Sequence, residues 1–359
     1  MSTASDTVQP TIASPPPRDR LVAMWLWSIA GLVFAMIVVG GATRLTDSGL
    51  SITEWRPLLG VIPPLTEAHW LEAFEKYKAI PEYRLVNEGM SLDAFKVIYW
   101  WEWSHRFLGR LIGVAFALPF AAFWSMGRLR RGLPVKLAGV LALGAVQGAI
   151  GWYMVASGLE ARIDVSQYRL ALHLTTAFAI LGLLVWLARD ESVAPATSAE
   201  AAPSAYRWLA GGIVVLVMLQ VMLGAFVAGL KAGLVYNTWP DMNGAFVPSD
   251  YWTTPTHLSF FESPAAAQFN HRMTAYIVVI AALATAIWAW RSTFDNRIRA
   301  SALLIAVATT LQMAVGVLTL LAHVPLSLGL LHQGGGALVL AIAVWHLHAT
   351  MNVGMPHRA

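Results

Sequence analysis

Long apolar runs separated by polar stretches dominate the chain. Runs of about 20 apolar residues are the sign of membrane-spanning helices. Eight are present, at 22–42, 105–126, 135–155, 171–188, 208–229, 271–290, 301–321 and 330–349. The pattern predicts an all-α, polytopic membrane protein. The first run is too long, and followed by too little of a cleavage site, to be a removed signal peptide. Residues 1–21, with Ser14-Pro15-Pro16-Pro17, read as a disordered tail, and 351–359 as a second short tail. Asp6 and Asp19, with no arginine enrichment, argue against a mitochondrial transit peptide.

Composition narrows the class. Hydrophobic residues make up 57% of the 359 and charged residues 12%, about half the charge of a soluble domain. That excludes a cytosolic globular enzyme, a disordered protein and a nucleic-acid binder. The net charge of +4 comes from 24 Lys and Arg against 20 Asp and Glu, a surplus that in a membrane protein sets orientation. There is no cysteine, so disulfides, iron–sulfur clusters and thiolate ligands are out. Ten histidines remain for redox or metal chemistry.

The charges predict a topology. Arg128, Arg130, Arg131 and Lys136 fill the second-to-third connection without an acid, and Arg291, Arg297 and Arg299 face the single Asp295 in the sixth-to-seventh. Acids crowd residues 47–93 instead. Both termini are then cytoplasmic, with 43–104, 156–170, 230–270 and 322–329 outside. Trp100, Trp101, Trp103, Trp152, Trp239 and Trp252 toward one side, with Trp124, Trp186, Trp288 and Trp290 toward the other, form aromatic belts.

The chain also repeats. Glu102-Trp103-Ser104-His105-Arg106 opens the second span as Gln268-Phe269-Asn270-His271-Arg272 opens the sixth. Gln147 to Gly151 in the third matches Gln312 to Gly316 in the seventh, and His173 and His332 open the fourth and eighth. Residues 190–206, rich in Ala, Ser and Pro, read as a cytoplasmic linker. The expected architecture is two parallel-repeat four-helix bundles, 22–189 and 207–350, since an even number of spans gives both halves one orientation.

His105, His173, His271 and His332 therefore recur at equivalent depth, two per half. A haem iron takes two axial ligands on opposite faces of its ring, and bundle cores commonly house cofactors. Two bis-His haem sites are expected, on His105 and His173 and on His271 and His332. Zinc is disfavoured, because two imidazoles per half leave a tetrahedron incomplete. His69, His257, His346, His348 and His357 read as structural, and His323 as polar rim. Arg106 and Arg272, each next to a proposed ligand, are candidate contacts for haem propionates. Glu102, three residues before His105, has Gln268 as its counterpart. A carboxylate beside one macrocycle and an amide beside the other suits acid–base work at one site.

Several strings resemble the heme A synthase family: Gly40-Gly41-Ala42-Thr43-Arg44-Leu45-Thr46-Asp47-Ser48-Gly49-Leu50-Ser51 followed by Glu54-Trp55-Arg56-Pro57, then Glu102 to Arg106, and Thr238-Trp239-Pro240. The resemblance runs from about Trp25 to His348. It implies oxidation of the C8 methyl of heme O to the formyl of heme A through heme I. It also implies a permanent heme b on His271 and His332, substrate near His105 and His173, and catalysis by Glu102. The loop with Glu54 and Trp55 would close over the substrate. Lack of cysteine places the chain in the cysteine-free branch, found in mitochondria and related bacteria, and a bacterial inner membrane is the expected location. Heme O synthase is a partner by resemblance alone. From the residues themselves, a two-haem electron-transfer cytochrome and a haem transporter or chaperone remain open. The first is disfavoured because both pairs lie near one face, the second because no midplane charge is evident.

Overall fold

The computed structural model describes residues 18–56, 59–160, 162–193 and 202–351. The predicted tail up to residue 17, and the second tail from 352, lie outside them, as does the middle of the predicted linker. The helices are α1 (Arg20–Leu45), α2 (Glu67–Lys78), α3 (Pro81–Leu85), α4 (Leu92–Ser125), α5 (Leu133–Leu159) and α6 (Gln167–Ser192). They continue as α7 (Ser204–Gly229), α8 (Ser259–Glu262), α9 (Pro264–Arg291), α10 (Asn296–Leu321) and α11 (Leu326–Met351). Eight of these, all but α2, α3 and α8, are long and apolar enough to cross a membrane. The architecture is all-α, as the apolar runs predicted.

Local signals set the ends. Asp19 caps α1 by accepting from the amides of Leu21 and Val22, and Arg128 donates to its carboxylate at 2.6 Å. That contact holds the Asp19 carboxyl below its ordinary range. Ser91 caps α4 and Ser263 caps α9, the latter followed by a helix-starting Pro264. The spanning helices have 26 to 34 residues, about 39 Å or more at 1.5 Å per residue, so they overrun the ~30 Å hydrocarbon core.

That overrun corrects one expectation. The four histidines were placed at helix starts, yet His105 lies more than three turns inside α4, and His173, His271 and His332 lie more than a turn inside theirs. In α4 and α6, polar residues such as Asp93, Lys96, Gln167 and Arg169 continue the helix ahead of the apolar run, where hydropathy stops reporting it.

Packing is the same in both halves. In the first, α1 and α5 each pack against α4 and α6; in the second, α7 and α10 each pack against α9 and α11. The halves meet through α6 with α7, α1 with α11, and α6 with α11. One apolar core crosses that seam, including Leu26, Ile29, Leu184, Ile213, Ile305 and Leu340. Asp47 and Lys231, each the second residue past the first helix of its half, both adopt left-handed φ, 47° and 49°. Their side chains pair at 3.3 Å across the seam. Arg44 reinforces it, reaching Asp47, Asp164 and the carbonyl of Ala228. At the opposite end, α6 runs to Ser192 and α7 begins at Ser204, so helix enters both edges of the predicted linker.

The long connections cover one end of the bundles, here the loop end. Over the first half, α2 and α3 fold onto α4 and α5 around Leu50, Phe74, Tyr77, Phe95 and Tyr99. Over the second, a smaller cap packs Tyr236, Met242 and Ala265.

Candidate functional site: two histidine pairs beneath the loops

Each pair of predicted ligands comes together inside its own half. The ring centroids of His105 and His173 lie 6.5 Å apart with planes at 65°. Those of His271 and His332 lie 6.2 Å apart at 79°. A metal–imidazole bond is about 2 Å, so two such bonds through one iron, with the ring radii added, separate the centroids by about 6 Å. Both pairs have the spacing of axial ligands. Among the described residues no group of three or more His, Cys, Asp and Glu could hold a metal ion.

The neighbouring helices leave room for the imidazoles. A Cβ on Gly40, Gly151 or Gly224 would stand 3.0 Å from the ring of His105, His173 or His271, and one on Gly316 would stand 2.7 Å from His332. The four glycines, on α1, α5, α7 and α10, are a matched set of cradles. One turn before three of these glycines sits a glutamine. Gln147 donates to the carbonyl of His173 at 2.8 Å, Gln220 to that of His271 at 3.0 Å and Gln312 to that of His332 at 2.7 Å. The Gln220 and Gln312 amides also lie 3.1 and 3.0 Å from the Nδ1 of their histidines.

Glu102 is almost fully buried and its carboxylate is anchored. Oε2 accepts from Ser51 Oγ and from the Ile52 amide, both at 2.7 Å. Oε1 accepts from Arg106 Nη2 at 2.6 Å. All three partners are donors, the set an acceptor-only carboxylate requires. Gln268 occupies the same place in the second half with the polarity reversed. Its amide donates to the carbonyls of Ala232 and Tyr236 at 3.0 and 3.1 Å, and its oxygen accepts from Arg272 at 3.3 Å.

The two arginines are loop clamps. Arg106 donates to the carbonyls of Ile52 and Glu54 at 2.8 and 2.9 Å. Arg272 donates to those of Tyr236, Thr238 and Asp241, each at 3.0 Å. Beside Arg106 a cavity of about 310 Å³ opens between the loop, α2 and α4, lined on its polar side by Glu54, Arg56, Lys76, Arg106 and Arg110. Glu54 pairs with Arg56 and Lys76 at 3.0 and 3.1 Å. Trp55 stacks on Trp152, centroids 5.8 Å apart.

The remaining histidines lie elsewhere. His346 is buried between Ser301, 2.8 Å from its Nδ1, and Tyr206, 3.3 Å from its Nε2. His348 pairs with Asp190 at 3.1 Å, tying α11 to α6. His69 lines the cavity, His323 sits in a left-handed turn, and His357 is outside the described residues. Sequence spacing did not reveal Ser51 or Ile52 as Glu102 partners, because they come from a loop 50 residues away in the chain.

Comparison with known proteins gives the family. Residues 23–344 match the family model described as cytochrome oxidase assembly protein. The heme A synthase of Parvibaculum lavamentivorans is 51% identical over 332 residues, covering 92% of this chain and 94% of its own. That of Chelativorans sp. is 49% identical over 345 residues, 96% of this chain and 95% of its own. That of Brucella anthropi is 47% identical over 351 residues, 97% and 98% respectively. With two histidine pairs inside a helix-bundle frame and identity of about half along nearly the whole chain, the protein belongs to the heme A synthase family.

Proposed function

We propose that the protein converts heme O to heme A by oxidising the C8 methyl to a formyl group in successive hydroxylations through heme I. It is a multi-pass enzyme of the oxidoreductase class. We assign the substrate to the half spanning 22–189 and a resident heme b to the half spanning 207–350. The observation that carries this division is the exchange of Glu102 for Gln268 within otherwise matched frames.

In the second half, His271 and His332 would hold heme b, and Gln220 and Gln312 would fix both ligands against their neighbouring helices. When bound, heme b supplies a one-electron redox centre. In the first half, His105 and His173 would grip the iron of heme O, so that the macrocycle lies between the α1–α4 and α5–α6 pairs. Breaking a methyl C–H bond during oxidation leaves a proton to be taken up. Glu102, one turn before His105 and fixed by Ser51, Ile52 and Arg106, is the group we assign to accept it. Because both carboxylate oxygens are anchored, the acceptor stays in place while substrate and product exchange. Arg56, Lys76 and Arg110 around the cavity give a cationic surround suited to the substrate's propionates, while Arg106 and Arg272 act on propionates only beyond their clamping role.

The basic short connections support a reading in which both termini are cytoplasmic and the loop end lies outside the inner membrane. Membrane lipid would then accommodate the isoprenoid tail of heme O. Heme O synthase is the partner whose chemistry supplies that substrate.

The test is acid extraction and mass-resolved chromatography of haems from the protein expressed beside a heme O source. Heme b together with heme O, heme I or heme A is expected. Heme b alone at two per chain, unchanged by the heme O source, would overturn the assignment in favour of an electron-transfer cytochrome.

A further inference from the structure

The seam between the halves sets the last helix of each half against the first helix of the other. On α11, Gln333 directly follows the ligand His332, and its side chain crosses to α1. Its amide donates to the Ile37 carbonyl at 2.6 Å. The same group lies over Gly41, where a Cβ would stand 2.5 Å from its oxygen and 2.9 Å from its nitrogen. Gly41 is the seat of that amide. Its chain neighbour Gly40 backs the ring of His105, 3.0 Å from where its own Cβ would stand. One turn of α1 therefore touches a ligand of the first half and, through Gln333, the residue next to a ligand of the second.

The matched contact in the other direction is apolar. Leu174 directly follows His173 on α6 and packs on a cluster that holds Ala225 and Phe226 of α7. Ala225 is the neighbour of Gly224, which backs the ring of His271. Leucine against alanine closes that contact, so packing alone does not call for an amide at the first. A glutamine side chain in a membrane-spanning helix needs its partner inside the protein. Gln333 finds it on the helix behind His105. A satisfied polar bond between helices also rigidifies their relative placement, which apolar contact does less.

From this juxtaposition we infer that Gln333 is a positioning residue that couples the two haem sites across the seam. The α11 turn bearing His332 and the α1 turn behind His105 shift together, so filling the first pair is registered at the second. Such coupling is reciprocal, and a haem on His271 and His332 would in turn hold α1 in place for the substrate. The inference rests on the proposal that both pairs hold haem, and it adds how one site acts on the other. Leu174 and Ala225, with no polar bond at their contact, carry no such link.

The test uses full-length protein in detergent with ferric haem at the second pair, and gallium(III) protoporphyrin as the probe for the first. Gallium(III) has the charge of ferric iron and no unpaired electron, so only the haem iron gives an EPR signal. That low-spin signal responds to the orientation of the two imidazole planes. Adding the probe should move the signal in the unsubstituted protein. Gln333→Leu, and Gly41→Ala, which displaces only the amide, should lose the shift while still binding both porphyrins. Leu174→Ala, at the apolar contact, should keep it. A shift that persists in either Gln333→Leu or Gly41→Ala, or that Leu174→Ala also abolishes, overturns the inference and leaves the two-site proposal standing. So does a signal that stays put in the unsubstituted protein with the probe bound. Probe binding that survives His105→Ala and His173→Ala together would instead remove the two-site proposal itself, and the inference with it.

Discussion

The two halves share a frame and differ in what fills it. Each has a histidine pair about 6 Å apart, an arginine next to one ligand that clamps the preceding loop, and a buried polar side chain four residues before that arginine. In the first half that side chain is a carboxylate accepting from an amide and a hydroxyl. In the second it is an amide donating to two carbonyls. The loops have changed to match, offering donors to Glu102 and acceptors to Gln268. A binding site needs only the shared frame. The first half adds a charge at a fixed point, which the turnover proposed for it would use and which holding a haem does not require.

Glu102→Gln should therefore produce the largest effect. Loss of a positioned acid–base group costs about 10²–10⁴ in rate, so heme A output should fall at least hundredfold while heme O still binds. Ser51→Ala, which removes one donor and leaves the carboxylate, should cost far less. Equal losses in the two variants would make Glu102 a loop anchor rather than a proton acceptor.

The reverse exchange should act on stability. Gln268→Glu sets a carboxylate against the carbonyls of Ala232 and Tyr236, two acceptors with no donor from the loop. An unsatisfied buried polar group costs about 1–3 kcal/mol, so thermal melting in detergent should drop, along with retention of heme b. An unchanged melting temperature would mean that the second cap rearranges freely, and the matched polarity of the loops would lose its meaning.

Glu82 sharpens the contrast from the side of the larger cap. It is buried, with Oε2 unpartnered. Burial, with Asp47, Asp164 and Glu102 as nearby negative charges, pushes its carboxyl up to about 8 from an ordinary 4.5. The folded protein binds this proton more tightly than the unfolded chain does, so stability is lost as pH rises between those two values. Melting temperature followed from pH 5 to 9 should fall less steeply in Glu82→Gln than in the unsubstituted protein. Parallel curves would show that Glu82 titrates normally.

The smallest effect belongs to the seam. Lys231 and Asp47 are half exposed, and such pairs contribute about 0–1 kcal/mol. Lys231→Ala should shift melting within that range, and the shift should shrink at high salt.

Much of this was legible in the chain. Apolar runs located all eight spans, and the repeat of Glu102, His105 and Arg106 against Gln268, His271 and Arg272 singled out histidines that the fold brings into pairs. Helix ends were misread because α4 continues through Asp93, Lys96 and Glu102, residues that hydropathy assigns to a loop. The caps were illegible for a different reason. Ser51, Ile52, Ala232 and Tyr236 reach the site through loops, and three of them act through backbone atoms, which side-chain identity does not report.

The central claim is that the two pairs hold different haems. Haem extraction and mass analysis of His105→Ala and His271→Ala, each expressed with a heme O source, tests it most directly. The expected result is that His105→Ala retains heme b and loses heme O and its products, while His271→Ala loses heme b and keeps heme O. If both variants lose the same haem, or if each retains only heme b, the division of labour between the halves is wrong.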